Sequence, residues 1–285
     1  MFVETAKAVG TTIELGQTIY EHRTVFTKSL RKLRSYWRHG HVRIAVFGVG
    51  GTGKTTLGEL LSGKSSLGAK PSTYQLSHKT EAVTPDSDFV STLYIPGGQE
   101  RYILNDWPAL YQNLAQGKSR GIINIVCYGH HSFTELNYKA TKYFLDLPES
   151  VRNTISKEDF VKLYLESKRA RELEIMREML PHLKTAKERI WMLTVVTKQD
   201  LWWKERATVQ AFYEGGEYNS YINEIATNRG QQNFAHAYVS ASLVINNLQT
   251  NDADILVPTA EGYDQNLQYA NLFKLVDTIH AFMGR

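Results

Sequence analysis

The chain of 285 residues contains one cysteine, Cys127, so no intramolecular disulfide can form and a reducing setting is expected. That thiol lies in an apolar run and reads as a buried structural residue. No stretch approaches the roughly 18 consecutive apolar residues that a membrane span requires. Met1-Phe2-Val3 offers neither a myristoylation glycine nor a secretory signal pattern, and Ala281-Phe282-Met283-Gly284-Arg285 has no prenylation cysteine. Stable lipid anchoring is not expected, and the expected location is cytoplasmic. Internal repeats and low-complexity tracts are also missing. What remains, 42% hydrophobic and 22% charged, is the composition of an ordinary globular protein.

Charge is unevenly spread. Residues 1–43 hold eight Lys/Arg against three Asp/Glu, while the rest of the chain has 25 against 26. Residues 3–38 read as helical with a break near Gly10 or Gly16. Val25, Phe26, Leu30, Leu33 and Trp37 fall at three- and four-residue steps among Lys28, Arg31, Lys32, Arg34 and Arg38. This basic helical leader, residues 1–40, is open to several roles. It can pack on its own domain, meet a protein partner, or make a peripheral membrane contact through residues 13–38. Nucleic acid is not expected as a partner.

From residue 41 onward the pattern alternates. Strands are expected at 41–47, 77–84, 88–95, 121–128, 190–196 and 236–240, with helices at 54–61, 101–116, 157–184, 217–229 and 266–283. Such alternation predicts an α/β fold with a mostly parallel sheet. Residues 131–156 read as an insertion before the long helix, and 243–265, with Asn246-Asn247, Asn251-Asp252 and Pro258, as a surface loop.

The strongest chemical signal is Gly48-Val49-Gly50-Gly51-Thr52-Gly53-Lys54-Thr55, followed by Thr56. It matches GxxxxGK[ST] between a buried strand and a helix, where the motif has to stand. Glycines let successive backbone N–H groups turn inward around phosphates, with a helix N-terminus behind them. Lys54 would reach the β- and γ-phosphates, and the Thr55 hydroxyl would be a Mg2+ ligand.

Directly after the strand 190–196 comes Thr197-Lys198-Gln199-Asp200, which resembles the NKxD guanine motif of the Ras-like small GTPases in its threonine variant. That resemblance covers about residues 41–285 outside the two insertions, and it implies a P-loop NTPase fold, a Ras-like G domain binding GTP or GDP with Mg2+. It implies that Asp200 accepts two hydrogen bonds from guanine, with Lys198 over the base. Ser240-Ala241-Ser242 resembles the SAK motif with serine in place of lysine, implying that the Ala241 N–H meets the guanine carbonyl.

Pro96-Gly97-Gly98-Gln99-Glu100 resembles the second switch, closest to the GGQ form of Arf-like and Gα proteins. By that resemblance Gly98 offers its N–H to the γ-phosphate and Gln99 orients the attacking water. The same register makes Thr73 the first-switch Mg2+ ligand, with Thr80 the competitor. The family's second switch begins with an acid, and here that position is Ile95. Between Lys54 and Gly98 there is no arginine, so a cis arginine finger is absent; Lys70 lacks the bidentate fork. Slow hydrolysis, an activating or effector protein partner, and a switch function are therefore implied. A guanine-nucleotide scaffold with little turnover is the alternative, and a P-loop kinase or ATPase the third reading.

Three features carry less chemistry. His130-His131 reads as a loop-lining pair, because adjacent residues leaving a strand point opposite ways and the sequence shows no Cys or acid cluster beside them. Of Trp202-Trp203, one is expected under the following helix and the other at a surface. The alternating charges of residues 157–187 read as a solvated helix face.

Overall fold

The computed structural model describes residues 24–28, 30–31, 43–62, 81–83, 92–95 and 100–283. Most of the leader and the expected switch residues Thr73, Thr80, Gly98 and Gln99 lie outside them. The run Arg43–Phe47 forms strand β1, buried at every position but the first. Its alternation sends Ile44 and Val46 to one face of the sheet and Ala45 and Phe47 to the other. The chain continues through helix α1 (Lys54–Ser62), strands β2 (Glu81–Val83) and β3 (Thr92–Ile95), helix α2 (Glu100–Ala115) and strand β4 (Gly121–Val126). After two short helices, α3 (Lys142–Leu145) and α4 (Glu149–Arg152), comes the long helix α5 (Lys157–Lys184).

Strand β5 (Ile190–Val196) leads into a helical stretch that the sequence did not signal: α6 (Gln199–Trp202), α7 (Arg206–Gln210) and a π-helix at Ala211–Gly215. Helix α8 (Glu217–Arg229), strand β6 (Phe234–Ser240), the short strands β7 (Leu248–Gln249) and β8 (Ile255–Val257), and helix α9 (Gln265–Met283) complete the described chain. The main sheet runs β2-β3-β1-β4-β5-β6. Its last five strands are mutually parallel and β2 pairs antiparallel at the edge. The expected α/β architecture with a mostly parallel sheet is the one observed.

Both faces of the sheet are covered, as parallel strands require. On one face α1 and α9 bury Leu57, Leu61, Leu272, Val276 and Ile279. Phe26 and Leu30 of the leader join that core, and Phe26 stands 6.4 Å from the Tyr269 ring. Those two side chains are thus spent on the protein's own interior, while Val25 is exposed. On the other face α2, α5 and α8 bury Trp107, Ile175, Met176, Met179, Tyr218 and Ile222. No helix among the described residues is long and apolar enough to cross a membrane.

Strand β4 stops at Val126 rather than running on to Tyr128, because Tyr128 and Gly129 take positive φ values of 53° and 80° and turn the chain away. Helix α5 keeps the expected bounds. Ser156 caps it by accepting from the Asp159 N–H, and Glu158 and Asp159 sit in its first turn, where the helix dipole favours acids.

The two insertions fold together. Residues 243–265 do not form a free surface loop: Leu248 and Leu256 are buried with Phe133, Phe144, Phe160, Val161 and Tyr164 in a third core. Asn251 and Asp252 donate backbone N–H groups to the carbonyls of Glu135 and Leu136, and Lys157 pairs with Asp254 at 3.3 Å. Phe160, fully buried, sits at the centre with Tyr138, Phe144 and Tyr164 rings 5.0, 5.7 and 6.0 Å away. Phe160→Ala should therefore cost about 3–5 kcal/mol in urea unfolding. A loss below about 1 kcal/mol would show that Phe160 is not packed at the centre of this core.

Candidate functional site

Every parallel strand delivers its carboxyl end to one edge of the sheet, and the site is built there. At the end of β1 the chain turns through Gly48, Gly51 and Gly53, with φ values of 139°, 79° and 103°. Two of these glycines are also forced by contact. A Cβ on Gly48 would lie 2.4 Å from the Ile125 carbonyl oxygen, and one on Gly51 would lie 2.7 Å from the Ser132 nitrogen. The Thr52 hydroxyl donates to the Val49 carbonyl at 2.9 Å, closing the loop on itself. Helix α1 then starts at Lys54, so its first N–H groups face the loop.

Lys54 is buried and folds back over this loop, donating to the carbonyls of Gly48 and Val49 at 2.7 and 2.9 Å. Burial pushes its ammonium down to about 7. Thr55 and Thr56, half-buried, follow in the first turn, with Gly50 half-buried at the loop's tip.

The segment after β5 locks onto this loop. The Thr197 hydroxyl donates to the Thr52 carbonyl at 2.7 Å and to the Val126 carbonyl at 3.1 Å. It thus ties together segments 145 residues apart. Lys198 takes a left-handed conformation, φ 57°, and points its ammonium at the His130 carbonyl and, at 2.8 Å, the Ser132 hydroxyl. Ser132 in turn donates its N–H to the Gly51 carbonyl at 3.1 Å. Desolvation lowers the Lys198 ammonium from its ordinary range. Trp202 is the buried member of the tryptophan pair, its indole N–H donating to the Thr197 carbonyl at 2.8 Å.

Asp200 is fully buried, and the structure fills its carboxylate from within. Ser242 donates its hydroxyl to Oδ1, and Asn246 donates its backbone N–H to Oδ2 at 3.0 Å, with the Thr259 hydroxyl at 3.4 Å. Burial nonetheless raises the carboxyl above its usual range. Of the Ser-Ala-Ser tripeptide it is thus Ser242, not Ser240, that meets Asp200. Ser240 lines a separate cavity of about 360 Å³ beside Trp203, Arg206 and Lys274. The Ala241 N–H is also engaged, donating to the Val196 carbonyl at 3.0 Å. In this conformation, therefore, both the carboxylate and the amide assigned to a base by resemblance have protein partners.

The position where the resemblance calls for an acid, Ile95, is 2% exposed and belongs to the core under α1. Of the two expected Mg2+ ligands only Thr55 is among the described residues. Among the described residues, Thr55 stands half-buried in the first turn of α1, and an apolar core side chain occupies the position where an acid would hold the ion through water.

One cluster was missed from sequence. Cys127, His131 and Glu172 bring a thiol, an imidazole and a carboxylate within 4.8 Å of one another, all buried. His131 is therefore accompanied by both a cysteine and an acid, contrary to the expectation for the histidine pair. The carboxylate is already occupied by protein donors: Glu172 Oε1 accepts from His131 Nε2 at 2.9 Å and from the backbone N–H groups of Cys127 and Gly129 at 3.0 and 3.3 Å. Those bonds hold the Glu172 carboxyl below its usual range against the opposing effect of burial. Burial raises the Cys127 thiol, so it stays a neutral core group.

No protein-family model matches the chain, and no curated protein does. Among solved structures it is similar to an ADP-ribosylation factor-like GTP-binding protein, the small COPII coat GTPase SAR1 from Encephalitozoon cuniculi in complex with GDP. The identity is 12%, covering 95% of this chain and 96% of that one, with a TM-score of 0.39. Likeness at that level carries nothing across from one protein to the other.

The buried ammonium of Lys54 sets two opposite pH slopes. Its pKa is about 7 folded against 10.5 as a free side chain, so between those values the unfolded chain binds more protons and stability from this group rises with pH. A phosphate beside Lys54 favours the charged form, so binding takes up a proton in the same window. Pyrophosphate affinity should fall by up to roughly tenfold per pH unit above neutrality. Calorimetric titration from pH 6.5 to 9 in two buffers of different ionisation heat checks this; no proton uptake and a flat profile would count against the assigned role of Lys54.

Proposed function

We propose that this protein binds guanine nucleotide at the carboxyl edge of its sheet and acts as a slow GTP-hydrolysing switch read by a protein partner. The observation that carries the reading is the convergence of three segments. The glycine loop before α1, the Thr197–Asp200 segment and Ser242 are joined by the Thr197–Thr52 and Ser242–Asp200 hydrogen bonds. A phosphate would replace the Gly48 and Val49 carbonyls as the partner of Lys54, and the loop and α1 N–H groups would complete its shell. Guanine would take the Asp200 carboxylate by displacing the Asn246 N–H, since an acceptor pair discriminates against adenine. Ala241 would have to leave Val196 to reach the same base.

Hydrolysis in this reading falls to Gln99 and Gly98, with Thr73 closing over the γ-phosphate. Mg2+, when bound, neutralises phosphate charge. The burial of Ile95 favours a second reading, a guanine-nucleotide scaffold that barely turns over, because no acid stands where the ion's water shell would be held. Slow chemistry and a partner that supplies missing charge follow from the first reading, nucleotide-dependent structure alone from the second.

Equilibrium affinities for GTP, GDP and ATP, with single-turnover cleavage of GTP with and without magnesium, separate them. Guanine nucleotides should bind at least tenfold tighter than ATP, and Asp200→Ala should erase that ratio while Lys54→Ala lowers all three affinities. Equal affinity for ATP and GTP would sink the guanine assignment. Tight GTP binding without cleavage would leave the scaffold.

A further inference from the structure

Glu172 sits in the middle of α5 on the same stripe as Ile175, Met176, Met179 and Leu183, and is 1% exposed. An apolar residue would fill that place at no electrostatic cost, whereas a buried carboxylate has several kcal/mol of desolvation to offset. One short segment, with Tyr213, offsets it. Cys127 N–H, Gly129 N–H and His131 Nε2 all donate to Oε1, while the Tyr213 hydroxyl donates to Oε2 and accepts from the Tyr128 N–H at 2.9 Å.

Residues 127–131 are thereby wrapped around a single side chain, in a tight turn that the His130 N–H closes by donating to the Cys127 carbonyl at 3.0 Å. Tyr128 is left-handed, and Gly129 approaches α5 so closely that a Cβ there would lie 2.2 Å from the Leu165 carbonyl oxygen. The Tyr164 hydroxyl donates to the His131 carbonyl at 3.3 Å, pinning the far end to the same helix.

The next atoms along this segment are those that touch the proposed site. The His130 carbonyl and Ser132 hydroxyl receive the Lys198 ammonium, and the Ser132 N–H holds the Gly51 carbonyl. We infer that Glu172 is a positioning residue for nucleotide binding, holding residues 127–132 so that Lys198 keeps its binding geometry. This rests on the guanine-nucleotide reading above. Glu172 touches no nucleotide in this role; it acts through Lys198.

The test is a double-mutant cycle with fluorescently tagged GDP as the probe, on full-length protein checked for folding by circular dichroism. Glu172→Gln keeps the shape and loses the charge and one acceptor. It should weaken GDP binding about tenfold with Lys198 present and less than about twofold in a Lys198→Ala background. A side chain that merely stabilises the fold would give the same loss in both backgrounds, and that result, or no loss, overturns the positioning role while leaving the nucleotide reading intact. Should Glu172→Gln not fold, Ser132→Ala removes the last link instead: its loss of affinity should likewise vanish without Lys198, and persistence there overturns the inference. If the folded parent binds no GDP at all, the nucleotide reading falls and takes this inference with it.

Discussion

Five mutually parallel strands impose the constraint on which the rest depends. Parallel neighbours cannot be joined by tight hairpins, so each connection crosses back over a face of the sheet, and each strand's carboxyl end opens on the same edge. The ends of β1, β4, β5 and β6 therefore bring Gly48, Cys127, Thr197 and Ala241 into one neighbourhood although they are far apart in the chain. Helices on both faces keep that edge dry: Lys54, Thr197, Asp200 and Glu172 are all buried there.

A dry edge makes charge expensive and hydrogen bonds strong. A buried ammonium, Lys54, and a half-buried one, Lys198, share that edge with two buried carboxylates, Asp200 and Glu172, and desolvation opposes the charged form of all four. The balance is met differently at each. Glu172 collects so many donors that its carboxylate is favoured over the acid. Asp200 collects fewer and is pushed the other way. Among the described residues Lys54 is held by two carbonyls and by no carboxylate, and an anionic ligand would relieve the cost of burying its charge.

Much of this was legible in the sequence wherever the signal was local. The apolar run before Gly48, the glycine spacing and the helix after Lys54 are contained in about twenty residues, and β5 and the long helix appear with the expected bounds. Where the meaning depended on a neighbour distant in sequence, legibility ended. Glu172 looked like one more charge on a solvated helix, although its spacing to Ile175, Met176 and Met179 places it on the buried stripe. Ser240 and Ser242 are equally plausible by composition, and only the end of β6 decides which one reaches Asp200. The helical stretch after Asp200 carries no sequence signal because its turns are short and start without a side-chain cap.

The shared core of the two insertions has a consequence for how such a chain changes over time. Phe133 and Phe144 belong to one segment, Leu248 and Leu256 to the other, and they share one core with Phe160 and Tyr164 of α5. Losing either segment alone would uncover that core and leave aromatic side chains facing water. The pair can therefore be acquired, exchanged or discarded as a unit far more readily than one at a time, and Asn246 and Thr259, which bond Asp200, travel with it. A lineage that altered this appendage would alter the lining around Asp200 in the same step.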